Sequence, residues 1–407
     1  MFDSFLKVTS FYKEFLLDYY RSNPAVIEGS FDEQYKHLMA QGYGYADYFP
    51  RYMAKNHGLR SAEIIHNAEH LQGAWAREYG SNLTGDELLL EQIRRFAPGV
   101  LMIQDSANFD AAYLDRVRRE VPSIRLMIGH CCSPYTEANL KTFGNFDVML
   151  SCSPIYYKVL KDLAKTYHFP HALESSLVTP VDSRGTPENK VIFIGSLFYR
   201  NEFHRHRIGV VEEILKSGIP FKMFGILEET PWHALKLLQA SYLMVRASER
   251  LGIKAFRKYQ AYRKVERLQG MPTRSRYSNL IRENLRRDLL FGKKMLDTIA
   301  GHAVGFNIHG DGAGDFAANI RMFEVAGSGA LLCTDHKSNI HDFYEPDAEI
   351  LTFRDTGECI EKLKWAIDHP GEARRIAAAG QQRTLKDHSV ERRVDLLYEI
   401  MKKEFPK

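Results

Sequence analysis

Short apolar runs rich in β-branched residues alternate along this chain with longer stretches whose apolar residues recur every three to four positions. The short runs predict strands at residues 7–11, 62–65, 100–104, 124–129, 147–152 and 170–173. Helical periodicity predicts helices at 86–96, 111–120 and 155–166, with two or three more in the Tyr- and Phe-rich stretch before residue 60. Residues 180–190 have turn composition and no periodicity, and read as a linker. A second series follows, with strands at 191–195, 220–224, 304–309, 330–334 and 349–353. Its helices are at 205–217, 290–301, 315–326, 357–368, 371–387 and 390–404. Such alternation calls for parallel sheets covered by helices. The economical fold is therefore α/β, with two Rossmann-like halves.

Composition refines this picture in two places. At 407 residues the chain suits two or three domains, and its average charge and many aromatics exclude a disordered or low-complexity protein. The net charge of +4 hides a strong asymmetry. Residues 231–294 hold 16 Lys/Arg against 4 Asp/Glu, a balance of +12, which leaves −8 for the rest. Solvated helix faces, attraction to anionic lipid or a polyanionic acceptor, and steering of an anionic substrate all fit such a stretch. Nucleic acid is not expected, because no base-reading module accompanies the charge. The five cysteines form no disulfide framework and read as buried free thiols. No signal peptide or membrane span is apparent, so the expected location is cytoplasmic, with a peripheral seat at the inner membrane face through 231–294.

The richest candidate chemistry lies between residues 306 and 335. A strand ends at His309, and a loop carrying Gly310, Gly312 and Gly314 opens onto a helix expected to start at Asp315. Glycines let backbone N–H groups approach an anion, and a helix start adds a favourable dipole. Open α/β sheets bind ligands outside the carboxyl ends of their strands, where this loop falls. Arg321 and Glu324, at i and i+3, share a helix face. They fit either a surface ion pair or a ribose-binding carboxylate beside a phosphate-facing guanidinium. Gly327, Ser328 and Gly329 then end the helix.

These residues resemble a family. Arg321-x-Phe-Glu324 with Gly329-Ala-Leu-Leu-x-Thr-Asp335, then Phe343-Tyr344-Glu345 and Glu349, is similar to the CgeB-type glycosyltransferases of the GT-B class. So are Asn307 and His309, Gly195-Ser196, and the tail with Ala377, Gly380, Arg383, His388, Ser389 and Arg393. The resemblance implies a GT-B fold of two facing Rossmann-like domains. The acceptor domain would span 1–182, and the nucleotide-sugar domain 183–388 with a basic helical insertion at about 231–290. A C-terminal helix at 389–407 would pack back on the first domain. It also places Glu324 at the second glutamate of the retaining group's Glu-x7-Glu pattern, near the ribose. The first glutamate falls at Phe316, so the pattern is broken here, with Asp311 or Asp315 as substitutes toward the sugar.

The donor site is thus expected to draw on Gly195, Ser196, Arg200, Arg205, Arg207, His309, Gly310, Gly312, Asp315, Arg321, Glu324, Gly327, Ser328 and Gly329. One of Arg200, Arg205 or Arg207 is a candidate to stabilise a departing diphosphate. Arg205 and Arg207 cannot both face the cleft if the segment is helical. His130, at the carboxyl end of a first-half strand, joins Arg321 and Glu324 as a candidate catalytic residue, either bonding the donor sugar or acting as base. His66-x-x-Glu69-His70 has zinc-peptidase spacing, but His66 closes a strand-like run, so the two histidines fall on different elements. The expected activity is metal-independent, retaining transfer from a nucleotide-sugar to a glycan, lipid-linked saccharide or protein, with no cofactor beyond the donor. An epimerase or phosphorylase on the same fold, or a catalytically silent binding protein, are the alternatives.

Overall fold

The computed structural model describes residues 2–133, 135–198, 204–228, 231–253, 262, 265, 268, 270–273, 277–310 and 313–406. Arg200, Asp311 and Gly312 lie outside the described residues. The first six strands are β1 (Ser4–Thr9), β2 (Arg60–Ile65), β3 (Val100–Ile103), β4 (Leu126–Cys131), β5 (Val148–Ser151) and β6 (Lys165–His168). They form one sheet in the order β2-β1-β3-β4-β5-β6, parallel throughout. The next six are β7 (Glu188–Ile194), β8 (Phe221–Phe224), β9 (Leu285–Arg286), β10 (His302–Asn307), β11 (Leu331–Asp335) and β12 (Leu351–Phe353). Their order, β12-β11-β10-β7-β8-β9, is the dinucleotide-fold order 3-2-1-4-5-6 read backwards, again all parallel. The α/β, two-domain Rossmann-like architecture of the GT-B class is therefore what this sequence adopts.

Both sheets are buried on two faces, which explains the near-continuous apolar runs. All six residues of β1 are buried, including Lys7. The Lys7 ammonium survives there by pairing with Glu63 Oε1 of β2 at 2.6 Å. The C-terminal helix Val390–Glu404 buries Val390, Val394, Leu397, Ile400 and Met401 in the same core as Phe2 and Met53 of the first domain. Among the described residues, no helix is long and apolar enough to cross a membrane.

Two expectations need correction, and one strand escapes the sequence pattern. The strand placed at 170–173 is β6 at Lys165–His168, after a helix that ends at Leu160. As an edge strand, β6 has intermediate or exposed side chains and so carries no apolar signal. The helix placed at 315–326 starts at Ile320, with Asn319 as its N-cap accepting from Met322 N–H. Ala313–Phe316 forms only a short turn, which leaves a longer loop above the cleft. Strand β9, two residues long in the basic stretch, is too short to register as a pattern.

Candidate functional site

A cavity of about 610 Å³ separates the two domains, lined by the carboxyl ends of β1, β3, β4 and β5 on one side. The loop after β10 and the start of helix Ile320–Gly327 line the other. Each wall lies at a topological switch point, where the strand order reverses: between β1 and β3 in the first sheet, between β7 and β10 in the second.

The second-domain wall is charged and partly unsatisfied. The Arg321 guanidinium lies 2.8 Å from Glu324 Oε2 and donates from Nη1 to Met295 Sδ. The approach to the carboxylate lacks hydrogen-bond geometry, so the pair is held by charge, and Glu324 Oε2 is buried with no hydrogen-bond partner. The His309 ring is fixed by its neighbour. Both its backbone N–H and its Nδ1 meet Asp335 Oδ1, at 2.9 and 2.8 Å. Burial would raise the Asp335 carboxyl, but the His309 bonds and the Lys337 ammonium outweigh it and hold the group well below the ordinary carboxylate range. His309 Nε2 is thereby left buried and without a partner. Asn319, which caps the helix, is locked to the end of β10 through its side-chain amide, which donates to Asn307 Oδ1 at 3.0 Å. Arg207 donates to the carbonyls of Ser196 and Ile308, and so ties the β7 and β10 loops together across the switch point.

The first-domain wall is quieter. Asp105 lines the cavity, but its Oδ2 already accepts from Thr9 Oγ1, Ser10 N–H and Ser10 Oγ. Gln104 Oε1, beside it, is buried and open. Tyr12, largely exposed, sits edge-on to Tyr43, which stacks on Phe15 with ring centroids 4.0 Å apart. His130 is buried at the end of β4, and its Nε2 lies 3.1 Å from Cys132 Sγ. Burial, with the nearby Lys7 cation, pushes its imidazole down to about 4, so the ring is neutral near pH 7.

Of the residues singled out from sequence, His130, Arg207, His309, Gly310, Arg321 and Glu324 line this cavity. Arg205 points to solvent while Arg207 faces the cleft, as i and i+2 on a helix require. Asp315 is exposed and does not line the cavity; its carbonyl anchors Ser338. Gly195 and Ser196 lie behind the lining, where a side chain at Gly225 would come within 2.0 Å of the Gly195 carbonyl oxygen. Gly327, Ser328 and Gly329 face the linker. A Cβ on Gly327 would lie 2.1 Å from Leu173, and the Ser328 and Gly329 carbonyls accept from Arg184. Sequence reasoning missed Asp105, Asp335, Tyr12 and Asn319 as site groups. Asn319 and Asp335 carried a signal, through their place in the 306–335 block.

The cysteine reading is corrected at one pair: Cys132 and Cys152 form a disulfide with Cα atoms 5.5 Å apart, while Cys131, Cys333 and Cys359 are buried free thiols. Backbone neighbours β4 and β5 bring this pair together, which spacing in sequence does not reveal. With His171 the two sulfurs form a group whose ligand atoms lie within 4.8 Å of one another. The sulfur–sulfur bond occupies that group in this state. His66 lies tilted against Phe109 and His70 edge-on to Tyr20, and among the described residues the zinc-peptidase spacing does not assemble a site.

Comparison with known proteins agrees with this architecture. Residues 252–399 match the family described as glycosyl transferase-like. None of the curated proteins matches. Similar solved structures include a glycosyltransferase from Rickettsia africae (8% identity, TM-score 0.54, 98% of each chain). The sucrose-phosphate synthase of Thermosynechococcus elongatus is also similar (9%, 0.53, 99% of each chain). So is Anabaena HepE crystallised with UDP and glucose (10%, 0.51, 98% of this chain and 99% of that one). The comparisons show the GT-B fold, and residues 252–399 carry the likeness to the glycosyl transferase-like family.

Proposed function

We propose that the chain moves a sugar from a nucleotide-sugar to a hydroxyl of a glycan, a lipid-linked saccharide or a protein. Transfer proceeds with retention and without a metal ion, on a framework of the CgeB type. One observation carries the donor assignment: the Arg321–Glu324 ion pair and His309, whose buried Nε2 has no hydrogen-bond partner, line the same cavity. A buried acceptor without a partner costs about 1–3 kcal/mol. A donor hydroxyl would recover that cost at His309 Nε2, ribose hydroxyls would bond the Glu324 carboxylate, and the helix start at Ile320 with Arg321 offers positive charge to the diphosphate.

In the reaction the bond from the anomeric carbon to the diphosphate oxygen breaks, and the acceptor oxygen bonds to that carbon. The acceptor proton must go to a base. His130, with its pKa near 4, is too weak a base to hold it at neutral pH, so it serves as a hydrogen-bond partner for a sugar hydroxyl. The departing diphosphate takes the proton. Arg321 and the helix start stabilise the charge that develops there, the task a metal ion would otherwise perform.

Anabaena HepE was crystallised with UDP, which makes UDP the first nucleotide to try. Calorimetric titration of the full chain with UDP, GDP and ADP, with and without a chelator, tests the reading. One of the three should bind, unchanged by chelator; no binding by any of them would overturn the donor assignment.

A further inference from the structure

The second domain carries an apolar surface that neither its own core nor the cleft uses. Helix Trp232–Arg250, inserted between β8 and β9, buries Leu235, Val245 and Ser248 on one side. On the other side Leu237, Ala240, Met244, Ala247 and Leu251 follow one another at steps of three and four, and all are exposed. Leu237, Met244 and Leu251 are 70%, 65% and 74% accessible, and Leu243 and Trp232 add to the same surface. Of the fifteen large hydrophobic residues exposed among the described residues, seven lie between Trp232 and Met271. The concentration is what separates this surface from the scattered exposed apolar residues of ordinary proteins.

Charge decides what covers it. Lys236 and Arg250, both exposed, flank the stripe one position from Leu237 and Leu251. Glu249 is the single acidic residue from 232 to 253, and the wider segment 231–294 carries +12 while the remainder of the chain carries −8. An apolar stripe edged by cations, with an aromatic residue at one end, matches a lipid interface, where the side chains enter the acyl boundary and the cations meet anionic headgroups. A nucleic acid would leave the leucines and methionine without an apolar partner, and a second copy would bring two basic segments together.

We propose that helix Trp232–Arg250 seats the protein on the surface of an anionic phospholipid bilayer, lying in the interface without crossing it. The inference is independent of the cleft and goes beyond the reaction assigned to it: it fixes where the enzyme works and favours an acceptor held at a membrane.

The test is co-sedimentation of the full chain with vesicles of phosphatidylcholine alone and of phosphatidylcholine mixed with phosphatidylglycerol. Binding is expected to the anionic vesicles, weakly to the neutral ones, and to fall as salt is raised. Leu237→Glu with Met244→Glu, both on an exposed face, should lower the bound fraction at least about tenfold. The emission of Trp232 should shift to shorter wavelength on anionic vesicles, a signal that Trp232→Phe removes. The double variant should bind UDP as the wild type does, which separates this surface from the cleft. The proposal is overturned if no vesicle binds the wild type, or if the double variant binds as tightly as wild type. It is equally overturned if the wild type is a dimer that the double variant dissociates, because a second copy then covers the stripe.

Discussion

The two switch points that face each other across the cleft use the same kind of geometry to opposite effect. At the first, one oxygen of the Asp105 carboxylate is taken by Thr9 and Ser10, and Gln104 Oε1 and Glu174 Oε2 are buried without hydrogen-bond partners, with the exposed ring of Tyr12 beside them in the lining. At the second, His309 Nε2 is buried without a hydrogen-bond partner, and the Arg321 guanidinium stands in an ion pair with Glu324. Buried polar groups in native proteins are nearly always paired, so walls that leave some open are built for ligands that complete them, and only the second sets a guanidinium beside the opening for an anion. A wall of amide and carboxylate oxygens with aromatic rings suits a saccharide, whose hydroxyls donate to the oxygens and whose ring faces stack. The contrast assigns the charged donor to one wall and the neutral acceptor to the other.

The contrast breaks first at Glu324. Replacing it with Ala should weaken UDP binding by about 10- to 150-fold, the worth of a charge-assisted hydrogen bond of about 1.5–3 kcal/mol. Calorimetry reads this directly. Next in size is a pH effect on folding. His130 and His388 are buried neutral, each pushed from 6.5 to about 4, chiefly by burial. A depressed histidine gives stability that is full above its unfolded value and is lost as pH falls toward the folded one. Acidification from pH 7 to 5 should therefore remove roughly 2 kcal/mol per histidine. Urea unfolding at pH 5, 6 and 7 measures it, and His388→Gln should flatten the slope.

Asp335→Asn is a smaller, more selective probe. It keeps a partner for the His309 ring but discards the fixed charge, so it should raise the donor KM by about three- to tenfold, with a smaller change in kcat. The smallest effect belongs to Asp105→Asn. Its carboxylate is spent on local bonds, so UDP affinity should stay within about a factor of two, while stability drops by about 1 kcal/mol. A large loss of UDP affinity in this variant would erase the difference between the walls.

The α/β alternation was legible because the strands are buried on both faces, as in β1 and β3, so burial wrote itself into composition. Edge strands β6 and β9 were not, since a half-solvated or two-residue strand needs no apolar run. Within the site, Arg321, Glu324 and His309 could be read because they sit in one contiguous block. Asp105 and Tyr12 could not, because their neighbours in space, Ser10 and Tyr43, are far away in sequence. The tail motif proves architectural. Arg393 donates to the carbonyls of Pro170 and His171, Arg383 and His388 meet the Phe343 carbonyl, and a Cβ on Gly380 would come within 2.3 Å of the Glu349 carbonyl oxygen. A residue pattern can carry a resemblance through its packing as readily as through its chemistry.

The most direct test of the asymmetry is a crystal structure of the full chain with UDP. The account predicts a ribose hydroxyl within about 3 Å of the Glu324 carboxylate, with the diphosphate at the start of helix Ile320–Gly327. A nucleotide seated instead at the first-domain switch point, beside Asp105 and Ser10, would contradict it.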